Sequence, residues 1–301
     1  MKMVLRALLA ISAILLLAPS TVQVAEMEWL GRLSTMIGAE RESFHRPDST
    51  GGGARFHVTP EVLLVAPIPF TPFAIQANAN YVGGGAQYRW GFGGGPVVAW
   101  DGGLGQGGKA GVFFAYQHRK YQGSCSDSNS SVDFNNAWVR PAASFYFPDI
   151  NVDAWMSQPI SREHDVFACE GDRRKVFRPA SNMRAVINYF PPVPLNGKNG
   201  NVELSLGIDV SNLWGPSLDL SPGVSPVAGV AIMPWQNLEV TLFRASFDVN
   251  HSRYKVNTGV QYYFNIGSSK NPSPTLIEMR RKYLEPTLEP GSVGTMWNRS
   301  L

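Results

Sequence analysis

Cysteine is scarce in this chain. Cys125 and Cys169 are the only two in 301 residues, which excludes a disulfide-dense mini-scaffold and any multi-cysteine zinc site. Charge is sparse as well: charged residues make up 16% and the formal net charge is +3. No basic run is dense enough to form a nucleic-acid surface. Long hydrophobic runs are missing after the N-terminus. No later stretch approaches ~18 consecutive apolar residues, so no membrane-spanning helix is expected there. His45, His57, His118 and His164 have no metal-ligand spacing with one another, and neither a metal nor a cofactor is expected. The glycine clusters Gly93–Pro96 and Gly102–Gly108 do not sit between a strand and a helix, as a phosphate cradle requires. They fit turns and tight bends.

What is present begins with an export signal. Met1 to Arg6 is basic and Ala7 to Ala18 is apolar, a run of signal-peptide length. Cleavage after Ser20 or Ala25 makes residues 1–25 a signal peptide. Residues 26–53 read as a periplasmic segment: a short amphipathic helix over Glu26–Phe44, with Trp29, Leu30, Leu33 and Ile37 on one stripe, then the linker Arg46–Gly53.

From residue 54 to 265 the chain alternates. Tyr254, Val256, Thr258, Val260, Tyr262 and Phe264 fall on one side, and Arg253, Lys255, Asn257, Gly259 and Gln261 on the other. A period of two means a strand. Asp248–Ser252 reads as the loop that joins this strand to Leu238–Phe247. Runs of roughly 10 residues exceed the usual strand length of ~5–6 and suit a tilted strand crossing a bilayer. A soluble β-sandwich gives the same alternation, so other features must separate the two.

About twelve strands are expected: Ala54–Ala66, Thr71–Tyr81, Gly85–Phe92, Pro96–Asp101, Gly108–His118, Phe134–Phe147, Ile150–Gln158, Ala180–Phe190, Asn201–Asn212, Val224–Met233, Leu238–Phe247 and Arg253–Asn265. Their connections sort by length. The short Pro148-Asp149 and Pro234–Asn237 turns fall at one end, and the polar loops 121–133 and 159–179 at the other. Outer-membrane barrels sort their turns this way, and a sandwich has no reason to. The expected fold is therefore all-β: an antiparallel transmembrane barrel with a short N-terminal helix and a C-terminal tail, residues 266–301. Within the tail, Pro274–Leu284 is a short basic helix candidate, placed either in the periplasm or back inside the lumen.

In this register the lumen holds Arg140, Asp153, Arg184, Glu203, Asp209, Arg253 and Lys255. Lipid faces Val139, Phe145, Ile150, Val152, Ile187, Tyr189, Leu204, Leu206 and Val256. Arg244 breaks the pattern, which places it at the outer rim or puts a bulge beside it. Oxidising export favours a disulfide, and Cys125 and Cys169 lie in adjacent loops on one side, where a bond would staple them. Asn250-His251-Ser252 carries lipase-type residues, but neighbours in a turn do not supply a positioned base and orienter. No enzyme is expected.

The segment Gly111–Gln158 holds GVFFAYQHRKYQG, FNNAWVRPAASFYF, a tight PDI turn and NVDAWMSQPI. This resembles the β-domain of inverse autotransporters, the intimin and invasin family of outer-membrane anchors. The resemblance implies a twelve-stranded barrel whose chain returns through the pore after the last strand to export a passenger. No repeated immunoglobulin-like passenger follows Asn265 in this sequence. The expected role is a monomeric outer-membrane anchor or surface-exposed structural barrel. It would be inserted by the barrel-assembly machinery, surrounded by outer-membrane lipid, and open to a surface partner through loops 121–133 and 159–179. A porin or small-solute channel is the first alternative, and a soluble secreted β-sandwich binding protein the second.

Overall fold

A computed structural model describes residues 23–24, 28–41, 55–84, 87–103, 106–125, 128–160, 164–169, 173–177, 181–211, 223–248, 253–264, 274–284 and 299–300. Twelve long strands follow one another: β1 Leu30–Arg41, β2 Arg55–Pro67, β3 Phe73–Gly84, β4 Gln87–Gly103, β5 Gln106–Cys125 and β6 Ser128–Phe147. The second half comprises β7 Ile150–Pro159, β8 Asn182–Tyr189, β9 Val202–Ser211, β10 Gly223–Trp235, β11 Leu238–Asp248 and β12 Arg253–Phe264. Each pairs antiparallel with its neighbour in sequence, and β12 pairs with β1 from Tyr254↔Arg41 to Phe264↔Gly31. The circle is complete, so this is a closed twelve-stranded antiparallel barrel without an unpaired edge.

Side-chain polarity is inverted relative to a soluble protein. In β1, Arg32, Ser34 and Met36 are buried inside while Leu33 and Ile37 are exposed outside. β3 buries Gln76, Asn78 and Asn80 and exposes Phe73, Ile75 and Tyr81. Phe114, Leu204, Leu206, Phe243 and Val260 continue the apolar exterior around the ring. An apolar surface that surrounds the molecule is unstable in water, and charges on lipid cost roughly 2–4 kcal/mol near the midplane. Apolar outside and polar inside is therefore the distribution of a transmembrane barrel, and closure with this polarity excludes the two-layer sandwich.

Several expectations change. Residues Leu30–Arg41 are not a helix but the first barrel strand, so the barrel starts at residue 30 rather than 54. Leu30, Leu33 and Ile37 satisfy a helical stripe, yet Leu33, Thr35 and Ile37 also alternate with Arg32, Ser34 and Met36. Pairing with both β12 and β2 decides for the strand. The two strands expected across 85–101 are one, β4, because its glycines continue the ladder against β3 without interruption. The number twelve survives because these two errors cancel. Loop 121–133 is largely a continuation of the β5–β6 ladder up to Cys125↔Ser128. Loop 159–179 contains a hairpin of His164–Cys169 with Arg173–Phe177.

One end of the barrel carries the turns around 68–72, 148–149, 190–201 and 236–237, and the other carries the β5–β6 tip and the 164–177 hairpin. In the first group, Leu195 and Lys198 exchange backbone hydrogen bonds across Asn196-Gly197, both at positive φ (56° and 71°). That is the two-residue turn whose twist matches a hairpin. The largest apolar cluster sits inside this short-turn end: Leu30, Leu63, Val65, Phe190, Met233 and Tyr263, joined by Leu276, Met279 and Tyr283 from the C-terminal tail.

β11 holds the expected irregularity. Its register shifts between Thr241 and Arg244 on β12 and at Val230/Ala231 on β10. Leu242 and Phe243 both face outward as a bulge, at 50% and 41% exposure. Arg244 is thereby returned to the interior, where it lines a cavity.

Candidate functional site: a plug inside the lumen

The tail segment 274–284 lies inside the short-turn end of the barrel. It starts with a single helical turn, α1, Leu276–Arg280. Thr275 and Glu278 cap it reciprocally: the Thr275 backbone N–H donates to Glu278 Oε2 at 2.7 Å, and the Glu278 N–H donates to Thr275 Oγ1 at 3.4 Å. A helix this short is unstable alone, so the barrel wall must hold it. The Leu276 N–H donates to Asn201 Oδ1 at 3.0 Å and the Ile277 N–H to the Gly200 carbonyl at 3.0 Å. Gly200 has φ +82° and lies so close to Ile277 that a Cβ there would approach its Cγ2 to 2.7 Å. Both conditions require glycine.

Arg280 forms the centre of the plug. Its Nε donates to Glu203 Oε2 on β9 at 2.6 Å, and its Nη2 to Glu239 Oε1 on β11 at 2.6 Å. Its Nη1 donates to Tyr283 Oη at 2.5 Å and to Tyr263 Oη on β12 at 3.2 Å. The acids are satisfied from the wall too: Ser205 Oγ donates to Glu203 at 2.9 Å, Gln261 Nε2 donates to Glu239 at 2.6 Å, and the Tyr263 hydroxyl donates to Glu239. Buried charges are tolerable only when paired and hydrogen-bonded in this manner.

Further contacts surround the same segment. Arg32 of β1 is paired with Glu61 of β2 and lies 4.7 Å from the Tyr283 ring centre. On β3, Gln76 bonds the Leu284 backbone in both directions, accepting from its N–H at 2.9 Å and donating to its carbonyl at 2.7 Å. Arg281 reaches the β6–β7 turn, donating to the Phe147 and Pro148 carbonyls and to Asn151. Partial burial there draws its guanidinium below the ordinary arginine value, opposed by Tyr146, Asp149 and Glu278. Lys282 pairs with Glu28, ahead of β1, at 2.7 Å. The segment is therefore bound from all around the ring.

Leu284 is deeper than α1. It packs with Val97, Phe113, Ala142 and Trp155, so the chain climbs from the rim into the lumen. Beside the plug is a small cavity lined by Asp153, Trp155, Arg184, Arg244, Glu203 and Arg280, among others. Farther along the chain, Arg299–Ser300 pair antiparallel with Lys175–Val176 of the hairpin at the opposite end of the barrel.

The residues assigned to the lumen are distributed as follows. Arg140 is buried inside β6 and donates to Ser157. Arg184 and Asp209 form an ion pair at 2.5 Å, and Asp153 accepts from Ser144 and Asn188. Arg140 and Arg184 flank the Trp155 ring at 5.4 and 5.5 Å. Glu203 binds the plug, and Lys255 is buried on the inner face of β12. The Arg253 side chain, both cysteine side chains, His251 and residues 1–22 lie outside the described residues. Sequence reasoning missed Arg280, Glu239, Tyr263, Gln76 and the Arg32–Glu61 pair. Two signals were available: the T-x-x-E capping box before a basic pair, and Glu239 alternating with Leu238 and Val240, which forces an acid into the barrel.

No protein-family model matches the chain, and a search of curated proteins gives no match. Among solved structures, the translocator domain of autotransporter NalP from Neisseria meningitidis aligns over 87% of this chain and 95% of that one, at 13% identity and a TM-score of 0.49. The KdgM porin aligns over 77% and 99%, at 10% identity and a TM-score of 0.42. The Ralstonia pickettii toluene transporter TbuX aligns over 85% and 94%, at 10% identity and a TM-score of 0.41. No role is read from likenesses of this degree.

Proposed function

We propose that the protein is a non-catalytic outer-membrane barrel of the anchor type, resembling inverse autotransporters, whose C-terminal segment occupies and closes its own lumen. The observation that carries this reading is where the two described pieces of the tail lie. The first enters at the short-turn end, is clamped through Arg280 and rises to Leu284; the second, Arg299–Ser300, pairs with the hairpin at the other end. A barrel threaded by its own chain serves to hold that chain across the membrane. In this account the short-turn end is periplasmic, assembly machinery inserts a monomer, and the 164–177 hairpin with the β5–β6 tip meets surface partners. The account includes a Cys125–Cys169 bond, which reductant-dependent gel mobility would reveal.

The test is an epitope fused after Leu301 and labelled on intact cells. Labelling without permeabilisation is the expected result. An epitope reached only after permeabilisation would overturn the threaded reading. A channel is the second reading, favoured by the arginine-lined cavity beside the plug, and it requires the plug to leave.

A further inference from the structure

One ribbon of the barrel outruns its neighbour at the short-turn end. The last pair between β3 and β4 is Phe73↔Val98. The Ala99 N–H still donates to the Pro72 carbonyl at 3.0 Å, and beyond it β3 gives way to the 68–72 turn. β4 continues with β5 alone, through Trp100↔Gly108 and Asp101↔Gly107 to Gly103↔Gln106. Backbone groups alternate in direction along a strand, so the Asp101 N–H points to the same side as that of Ala99. With β3 gone, that edge of β4 needs another partner, because an open edge is a template for any passing strand. The chain's own N-terminal side supplies it: Gln23 and Val24 pair antiparallel with Asp101 and Trp100. A few residues on, Glu28 pairs with Lys282 of the plug at 2.7 Å, and β1 begins at Leu30. The stretch ahead of β1 is thus tied at two points, to the ribbon and to the plug.

Export offers two places to cut this stretch, and they differ in what they leave behind. A signal cleavage site needs a small side chain at the residue before the cut and another two residues earlier. Ala18-Pro19-Ser20 supplies both, directly after the apolar run. Gln23-Val24-Ala25 supplies a small residue before the cut but sets the long polar Gln23 two residues earlier. A cut after Ala25 also removes Gln23 and Val24, and with them the cover of the β4 edge. A cut after Ser20 keeps both.

We infer that the exported chain is cut between Ser20 and Thr21, so that Gln23 and Val24 remain in the mature protein as the cover of the β4–β5 ribbon. The signal peptide then ends at Ser20. The mature N-terminus guards an edge that would otherwise stand open in the periplasm, and Glu28 holds the same stretch against Lys282. The inference rests on the outer-membrane reading, which requires export and places this end of the barrel in the periplasm.

The test is the intact mass and N-terminal sequence of the protein, made with its own signal and extracted from the outer-membrane fraction. A chain that starts at Thr21 is the expected result. A chain that starts at Glu26, or one that keeps Met1, overturns the inference and leaves the barrel standing. Protein found only in a soluble fraction overturns the location and the inference together. Ser20→Leu is expected to lose this cut and accumulate precursor, while Ala25→Leu is cut like the wild type. Precursor from Ala25→Leu, or an unchanged start at Thr21 from Ser20→Leu, overturns the site. The covering role has its own readout: a chain whose signal is joined directly to Glu26 should exchange its Asp101 amide about tenfold faster, the effect of one lost backbone hydrogen bond. Equal exchange, with a heat-shifted band from both chains, overturns the cover.

Discussion

Placing a guanidinium out of water costs several kcal/mol, and inside the barrel Arg280 meets that cost with two carboxylates and two tyrosine hydroxyls. Removing the arginine leaves Glu203 and Glu239 facing each other without their cation. Arg280→Ala is expected to weaken docking of 274–284 by about 3–5 kcal/mol, seen as faster hydrogen exchange at Met279 and Tyr283. The triple change Arg280→Met, Glu203→Gln, Glu239→Gln should weaken it less than Arg280→Ala does, because no charge is then stranded. Equal exchange in both variants would show that the charges do not hold the plug. Gly200→Ala forces a side chain into left-handed backbone and onto Ile277. A loss of about 1–3 kcal/mol is expected, read as a lower melting temperature of the docked segment. An unaffected midpoint would mean that the Gly200–Ile277 contact is loose.

At the scale of elements, the β11 bulge decides which face Arg244 occupies. Inserting one alanine between Phe243 and Arg244 keeps the outward Leu242–Phe243 pair, gives the inward place to the new residue and turns Arg244 toward lipid. About 2–4 kcal/mol of barrel stability should be lost, measured as an earlier urea midpoint for loss of the heat-shifted band. An unchanged midpoint would place Arg244 near the interface instead. The sequence contained the conflict at Arg244, since a charge on the Leu238/Val240/Leu242 side contradicts a lipid face, and bulge or rim were both open. β1 was less legible. Leu33 and Ile37 fit both a period of 3.6 and a period of two, Leu30 joins them only on a helical stripe, and the partners β2 and β12 decide for the strand. β4 was divided because its glycines have no side chains to alternate, although the backbone ladder does not need them.

For the whole molecule, lipid and lumen faces were readable because a long alternating strand has a single way to place charge. Arg140, Arg184, Glu203 and Lys255 could be assigned inward from their neighbours alone. The plug was readable only in part: Pro274–Leu284 was a helix candidate with periplasm and lumen both open, and nothing in the sequence chose between them. A five-residue helix shows no periodicity, and its partners Glu203, Glu239 and Gln76 lie far away in the chain. What remained visible was an unexplained basic tail and an acid alternating into the barrel, two halves of one contact. The central claim is that this contact closes the lumen. It is tested most directly by planar-bilayer conductance of the full chain beside Arg280→Ala, with heat-shifted mobility confirming that both are folded. The account predicts a silent full-length protein and channel events in Arg280→Ala. A steady open conductance from the full-length protein would contradict it.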